Sequence, residues 1–394
     1  MWTNKQHVMS RLARDHRVVY VDFGTRPLGA FAARRLRAAR FGAPVSSVAD
    51  LLLGPVVEER DGVTVLDFPA PRFVEHLPHG SRLRVAGEFD LRVRALGRWL
   101  AAQEIRDAIV WVYHPGYGAG VAALPHSLLV YDCVDAYAAF PEFRGAEPWI
   151  RARERALCAA ADLVFCTSAP LHEAKSSLAP GRTHLVPNVG DAAHFEAAMS
   201  PATIVPPDLA RLPRPIVGFV GAVSDYKLDV GWLAHLARVR PAWSLVLIGP
   251  HGVADPSTDL SALRVLPNVH LLGHRPYGTL PAYLKGFDVA VIPYRRNEAT
   301  RAVFPIKFFE LLASGRPVVI SELPSLAEHY AAVRVAADAD GFVRACDAAL
   351  STDDAEGRAR RLALARANTW DVRVARLWAH VERSLAVGPR PSAR

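Results

Sequence analysis

The stretch that decides the fold is Val303-Phe304-Pro305-Ile306-Lys307-Phe308-Phe309-Glu310-Leu311-Leu312-Ala313-Ser314-Gly315-Arg316-Pro317-Val318-Val319-Ile320. It predicts a loop, a short helix apolar on one side, a break, and a β-branched strand. Pro305 suits the first turn of a helix, where its missing N–H is not needed. Gly315 suits the position just past a helix end, and Pro317 forbids continuation. Lys307 and Glu310 are three apart, so they share one face near the helix N-terminus. Such a terminus attracts anions through its free N–H groups and dipole. An added lysine suggests phosphate, and a carboxylate one turn on can accept hydrogen bonds from ribose hydroxyls. The plainer alternative is an ordinary amphipathic helix in an α/β domain.

Length and composition set the frame. The chain has 394 residues, natural for two domains, and 51% of them are hydrophobic, enough for two cores. No apolar run is long enough for a membrane-spanning helix, and the start lacks the apolar core of a signal peptide. Cys133, Cys158, Cys166 and Cys346 lie in apolar surroundings without CxxC spacing, which reads as reduced core thiols in a cytoplasmic protein. The net charge of +8 suits an anionic substrate, an anionic membrane surface or nucleic acid. No helix-turn-helix, RNA-recognition or zinc-finger pattern is present, which argues against nucleic acid.

The Pro-x-Lys-x-x-Glu helix followed by Leu312-Ala313-Ser314-Gly315-Arg316-Pro317-Val318-Val319 resembles the donor-site helix of retaining, GT-B-fold glycosyltransferases of family 4. The resemblance implies an α/β architecture of two Rossmann-like domains with a cleft between them, and a C-terminal helix crossing back to the first domain. It implies a nucleotide-diphosphate sugar as donor, with Glu310 on the ribose and the Phe304–Lys307 turn, including Pro305 and Ile306, facing the diphosphate. It implies no metal and no cofactor. The family often carries a second glutamate eight residues before the first; here that position is Ala302, and Glu298 is off-register.

In the first half, Gln6 to Arg14 reads as a helix and Val18-Val19-Tyr20-Val21-Asp22 as a buried strand. Relatives begin with an earlier strand that sits centrally in its sheet. That strand is expected to be missing here, through a misplaced start or through replacement by another segment. Arg26 to Gly42 is basic without an acid, with Leu28, Phe31, Leu36 and Phe41 among arginines. It reads either as a segment for an anionic membrane surface or as a solvated helix. Gly62 to Leu66 reads as a strand and Glu88 to Gln103 as a helix.

Two strand ends carry candidate chemistry, since ligands of open α/β sheets bind outside the carboxyl ends of strands. His114 follows the strand Ala108 to Tyr113, and the resemblance places a histidine near the transferred sugar at such a position. The alternative is a loop-capping histidine. Asp132 and Asp135 end the strand from Leu128. Asp135 can orient an acceptor hydroxyl or act as its base, or it can cap the helix that follows. Neither this pair nor Asp338-Ala339-Asp340, in a turn-like segment, reads as a metal motif. Pro187-Asn188-Val189-Gly190-Asp191 with Phe195 is a degenerate form of a family segment that closes the first domain, expected at 1–198.

Residues 199–215 contain five prolines and read as the interdomain linker. The donor domain, 216–370, opens with a buried strand ending at Gly221, then Ala222 to Lys227 leads into a helix. A strand, a glycine turn and a helix N-terminus face phosphate well. The family's arginine after the glycine is Ala222 here, while Lys227 matches its lysine and gives a catalytic cation for the leaving diphosphate. Arg301 is a candidate replacement for the missing arginine, and Arg275 lies in the loop that in the family reads the base. The crossover helix is expected at 371–387 and a disordered tail at 388–394.

The expected activity is transfer of a sugar from a nucleotide-diphosphate sugar to a cell-surface glycan, a lipid-linked acceptor or a small molecule. A sugar-nucleotide epimerase on the same architecture, or a degenerate binding protein lacking turnover, are the alternatives. The protein is expected in the cytoplasm, either free or peripheral at the inner face of the membrane.

Overall fold

The computed structural model describes residues 3–22, 55–68, 77–78, 80–252, 255 and 257–387. The basic segment Arg26–Gly42 and the tail 388–394 lie outside the described residues.

The second half is a parallel sheet of β8 (Ile216–Val220), β9 (Ser244–Ile248), β10 (Val269–Gly273), β11 (Val289–Ile292), β12 (Val318–Ser321) and β13 (Arg334–Ala336). Their spatial order is β10-β9-β8-β11-β12-β13, so the winding reverses between β8 and β11. That reversal opens a crevice at the carboxyl ends of β8 and β11, the place where such sheets take ligands. Strands β8, β9, β11 and β12 are buried along their whole length, as their unbroken apolar runs require. Every register along the sheet is parallel.

The deciding helix runs Lys307–Ala313, two residues later than a Pro305 start would give. Pro305 stands just outside, and its carbonyl accepts from Phe308 N–H at 3.0 Å. Gly315 has φ of 72°, a left-handed conformation that a side chain would strain, and its N–H bonds Leu312 O at 3.0 Å. The break after the helix is therefore the glycine stop that the sequence called for.

Among the described residues the first half divides its strands between two sheets. One contains β1 (Val18–Asp22), β2 (Val56–Arg60) and β3 (Val63–Asp67) in the order β1-β3-β2. The other runs β4 (Ile109–Val112), β5 (Leu128–Cys133), β6 (Leu163–Cys166) and β7 (Thr183–Leu185), all parallel. Among the described residues no strand joins the β1 edge to the β4 edge. Side chains bridge them instead. Val18 and Tyr20 of β1 and Ile109 and Trp111 of β4 share a cluster with Val8, Met9 and Leu12 of the helix Asn4–Leu12. That helix starts two residues earlier than expected, because Thr3 and Gln6 form a capping box.

The expected 88–103 helix is entered earlier and irregularly: Arg82–Val85 is α, Ala86–Asp90 is a π turn, and Leu91–Ala102 is α again. The proline-rich linker is not wholly irregular, since Pro207–Ala210 forms one helical turn. Ala192, Phe195 and Ala198, expected in the first domain, pack into the donor-domain core. No described helix is long and apolar enough to cross a membrane.

The helix Trp370–Val387 crosses back as expected, burying Trp370, Leu377 and Val381 against β5 and β6 residues Leu128, Val130, Leu163 and Phe165. Sequence periodicity missed its anchor. Arg373 is 1% exposed, and its guanidinium lies 3.5 Å from Asp132, which is fully buried at the end of β5. The same side chain donates to Pro187 O at 3.1 Å. Burial raises the Asp132 pKa, and Arg373 opposes that rise. Asp132 is thus a structural anchor.

Removing one partner of a buried pair strands the other charge. We predict that Arg373→Ala lowers stability by about 3–5 kcal/mol. An Arg373→Leu/Asp132→Leu double variant should recover most of that loss, as measured by denaturant unfolding. A double variant no more stable than the single would contradict the assignment.

Candidate active site

The crevice between β8 and β11 is built from glycine, lysine and a tightly held loop. Gly221, just after β8, has φ of 148°, and its N–H bonds Ile248 O at 2.8 Å. A Cβ there would fall 2.3 Å from the Lys307 Nζ. The absence of a side chain thus makes room for the lysine amine. Lys307 donates to the Tyr294 hydroxyl at 2.8 Å and lies 4.8 Å from the Phe219 ring centroid. Tyr294 stands two residues beyond β11, so the lysine joins both strands of the switch point.

Lys227 reaches the same crevice from the turn after β8. Its carbonyl accepts from Arg295 N–H at 2.8 Å, which fixes the turn to the loop after β11. Its ammonium lies 5.4 Å from the centroid of Phe140, a first-domain ring, and 5.5 Å from Tyr226. Burial alone would lower its pKa, but Asp135, Tyr226 and Tyr294 together raise it, so the amine stays charged. Asp135 faces it from the end of β5. Burial raises the Asp135 pKa, while Lys227 and then Lys5 of the first helix pull it down. The structure therefore brings Asp135 and Lys227, expected on different domains, to one place. Lys5 was not anticipated.

Glu310 sits one turn into the helix, half-buried, and Tyr277 donates to its Oε1 at 3.4 Å. Burial raises its pKa to about 7, against the pull of Lys307 and with Asp191 adding to the rise. Tyr277 in turn stacks on His194, with ring centroids 4.6 Å apart. Beside it a small concavity is lined by Val220, Ile248, Gly249, His274, Arg275, Tyr277 and Leu280, at the ends of β8, β9 and β10.

The loop that leads into this helix is held by its carbonyls. Ala302 O accepts from Ser168 Oγ at 2.6 Å, Val303 O from Ser325 Oγ at 2.6 Å, and Phe304 O from Asn188 Nδ2 at 2.9 Å. Asn188 is itself held by Asn4 Nδ2 at 2.6 Å. Ser168 belongs to the first domain and Asn188 to the segment that closes it. Asn188 was read from the sequence only as part of the segment that closes the first domain, and Ser168, Ser325 and Asn4 were not singled out, because each acts on a distant partner that spacing does not reveal.

Several expected residues stand elsewhere. Arg275 is committed: it donates to Tyr283 Oη at 2.7 Å, Leu272 O at 2.6 Å and Asp208 Oδ2 at 2.8 Å, which ties the loop after β10 to the linker. Its guanidinium is structural, although its loop borders the crevice. Arg301 is exposed and makes no ion pair among the described residues; the cation beside Gly221 is Lys307. Ala302 is 7% exposed and packs into the first-domain core, so a glutamate has no solvated place there. Glu298 points away and pairs with Arg151 at 2.6 Å. Asp338 caps the helix Ala339–Ser351 through Gly341 N–H at 2.7 Å.

His114 caps its own turn, as the plainer reading had it: Nδ1 accepts from Gly116 N–H at 3.0 Å. That bond places the proton of the neutral ring on Nε2. The ring is half-buried among Phe89, Tyr137 and Phe143, with Tyr137 at 4.9 Å.

Residues 214–352 match the family described as glycosyl transferases group 1. The Bacillus subtilis (strain 168) protein TuaH, assigned as a glycosyltransferase of teichuronic acid biosynthesis, is 30% identical over 281 residues, 66% of this chain and 68% of TuaH. An α,α-trehalose-phosphate synthase (UDP-forming) from Burkholderia vietnamiensis superposes with a TM-score of 0.68 at 18% identity, over 94% of this chain and 99% of the other. Sucrose-phosphate synthase from Thermosynechococcus elongatus gives 0.66 at 18% identity, over 97% and 92%. At these identities the solved structures speak for the fold, which is GT-B: two Rossmann-like domains with a crevice at the donor-domain switch point. With its donor-half match and its TuaH relative, the chain belongs to the group 1 glycosyltransferases and is a transferase enzyme.

Proposed function

We propose that this enzyme moves a sugar from a nucleotide-diphosphate sugar to a glycan or lipid-linked acceptor, with retention of configuration and without a metal. The observation that carries this reading is the convergence of Lys227, Lys307 and Glu310 at the β8–β11 crevice, with Asp135 facing Lys227 from the other domain.

In this reading the ribose hydroxyls sit on Glu310, and the diphosphate lies between Lys227 and the Gly221–Lys307 corner. The base lies toward the concavity at the ends of β9 and β10. As the glycosidic bond breaks, negative charge grows on the leaving diphosphate. Two ammonium groups already in place stabilise it, the electrostatic contribution that matters most in such steps. They supply the positive charge that a divalent ion would otherwise bring. In the free enzyme Asp135 partly neutralises Lys227. Arrival of the diphosphate frees that carboxylate to orient the acceptor hydroxyl or take its proton. His114 is assigned the contact with the transferred sugar, by its place at the end of β4.

The TuaH relative supports a cell-surface polysaccharide as the acceptor class. A lipid-linked acceptor gives the basic segment Arg26–Gly42 a purpose at the inner face of the membrane. The four cysteines are free and buried, in keeping with a cytoplasmic setting.

Three measurements test the reading. Calorimetric screening against UDP, GDP, TDP and ADP in EDTA should find one preferred nucleotide. Glu310→Ala should weaken it at least about tenfold, the low end of what one charge-assisted hydrogen bond is worth. Lys227→Ala should lower kcat about 10²–10³-fold. Asp135→Asn should lower kcat while nucleotide affinity rises, because a carboxylate that competes with the diphosphate for Lys227 is removed. Binding that requires a divalent ion, or that ignores Glu310, contradicts the assignment.

The second measurement uses pH. Glu310 titrates near 7 in the free protein, and the carboxylate is the form that accepts two hydroxyls. Nucleotide affinity should rise from about pH 6 to about pH 8, and Glu310→Gln should flatten that component. The same shift acts on stability. The folded pKa of about 7 lies above the ordinary 4.5, so the contribution is full below 4.5 and is lost as pH rises through 7. Melting profiles of wild type and Glu310→Gln should diverge across that window. Parallel profiles would contradict it.

The third is co-sedimentation with vesicles containing anionic lipid. Binding at low salt that is lost at high salt is expected, and no binding at low salt ends the membrane assignment.

A further inference from the structure

A pocket of about 360 Å³ lies at the end of the donor-domain sheet opposite the crevice. Asp288 immediately precedes β11 and Gly315–Pro317 immediately precede β12, so the pocket sits at the amino ends of the strands. Met199, Pro317 and Leu350 give it an apolar floor. Lys285, Arg316 and Arg358 give it three cations.

The two carboxylates in its wall are already committed. Asp288 takes the Arg214 guanidinium and the Ile216 N–H. Asp353 takes a two-point contact from Arg361, at 2.8 and 3.0 Å. The three cations are not balanced in this way. Lys285 donates to two neutral carbonyls, Ser200 O and Thr203 O, each at 2.7 Å. Arg316 uses Nη2 on the Lys285 carbonyl, and its Nε and Nη1 have no acceptor among the described residues. Arg358 is exposed at the pocket mouth and makes no ion pair among them. Burial pushes the Arg316 pKa down, and the like charges of Arg214 and Arg358 add to that against the pull of Asp288 and Asp353. Three cations gathered in a partly enclosed space, whose two neighbouring carboxylates are each already bonded to another arginine, are relieved by an anion. A guanidinium with free donors is well matched to phosphate oxygens.

We propose that this pocket is a second anion site, which takes a phosphate group, free or carried on a small molecule, on Arg316, Arg358 and Lys285. It lies at the root of the interdomain linker. Lys285 holds the first linker carbonyls, and a bound phosphate on the same amine stiffens that anchorage. The site stands apart from the donor crevice and does not depend on the reading of that crevice.

The test uses the full chain carrying Lys227→Ala and Lys307→Ala, so that phosphate cannot be held by the donor-crevice lysines. Calorimetric titration with inorganic phosphate should still show binding in that background. Adding Arg358→Glu, an exposed position that leaves packing intact, should weaken it at least about tenfold, and Arg316→Gln should do the same. Phosphate should also slow amide exchange in residues 199–206, and the Arg358→Glu variant should abolish that slowing. Absence of millimolar phosphate binding in the Lys227→Ala/Lys307→Ala background overturns the proposal, as does binding indifferent to both arginine changes. A sugar phosphate that binds more tightly than inorganic phosphate, and is lost with the same variants, identifies the carried form as the ligand.

Discussion

Three carbonyl oxygens in a row, those of Ala302, Val303 and Phe304, need partners once the loop before the donor helix is buried, and each finds a side chain from elsewhere in the chain. An unmade hydrogen bond on a buried backbone group costs about as much as the bond is worth, so this loop has little freedom. Two of the three side chains, Ser168 and Asn188, belong to the first domain or its closing segment. The placement of Lys307 and Glu310 therefore depends on the first domain. The donor site is a property of both halves, even though its charged residues are all in the second.

The same dependence runs in the other direction through the crossover helix. Arg373 is the charged side chain that the helix carries into the first-domain core, and Asp132 waits for it at the end of β5. Three residues further along the chain, Asp135 faces Lys227. The end of β5 thus holds one carboxylate for assembly and one for the cleft. Burial raises the pKa of both, and the different cations that meet them give them different work. The first helix closes the arrangement. It bridges the two first-domain sheets through Val8, Met9 and Leu12, and it brings Asn4 to Asn188 and Lys5 toward Asp135.

The donor half was legible in the sequence because its signals are local. The Gly221 turn, the Lys307–Glu310 spacing and the Gly315 stop are each settled within a few residues, and the strands are unbroken apolar runs. What was not legible is what depends on distant partners. Arg275 looks like a loop cation until Asp208 and Tyr283 claim it, and Arg301 looks well placed until Lys307 fills the space at Gly221. Ala302 reads as a lost glutamate, yet its surroundings are first-domain apolar groups, and that packing is the physical reason an alanine suits the position. In the first half the capping bond of His114, the Arg373 anchor and the division into two sheets all follow from tertiary contacts. No spacing rule in the chain announces them.

The central claim is that one nucleotide-diphosphate lies across the β8–β11 crevice with its ribose on Glu310 and its phosphates between Lys227 and the Gly221–Lys307 corner. The most direct measurement is a crystal structure with the preferred nucleoside diphosphate bound. The account predicts ribose oxygens within hydrogen-bond distance of both Glu310 carboxylate oxygens and a phosphate oxygen on the Lys227 ammonium. A nucleotide bound elsewhere, or bound here with its ribose away from Glu310 and its phosphates on other cations, would contradict it.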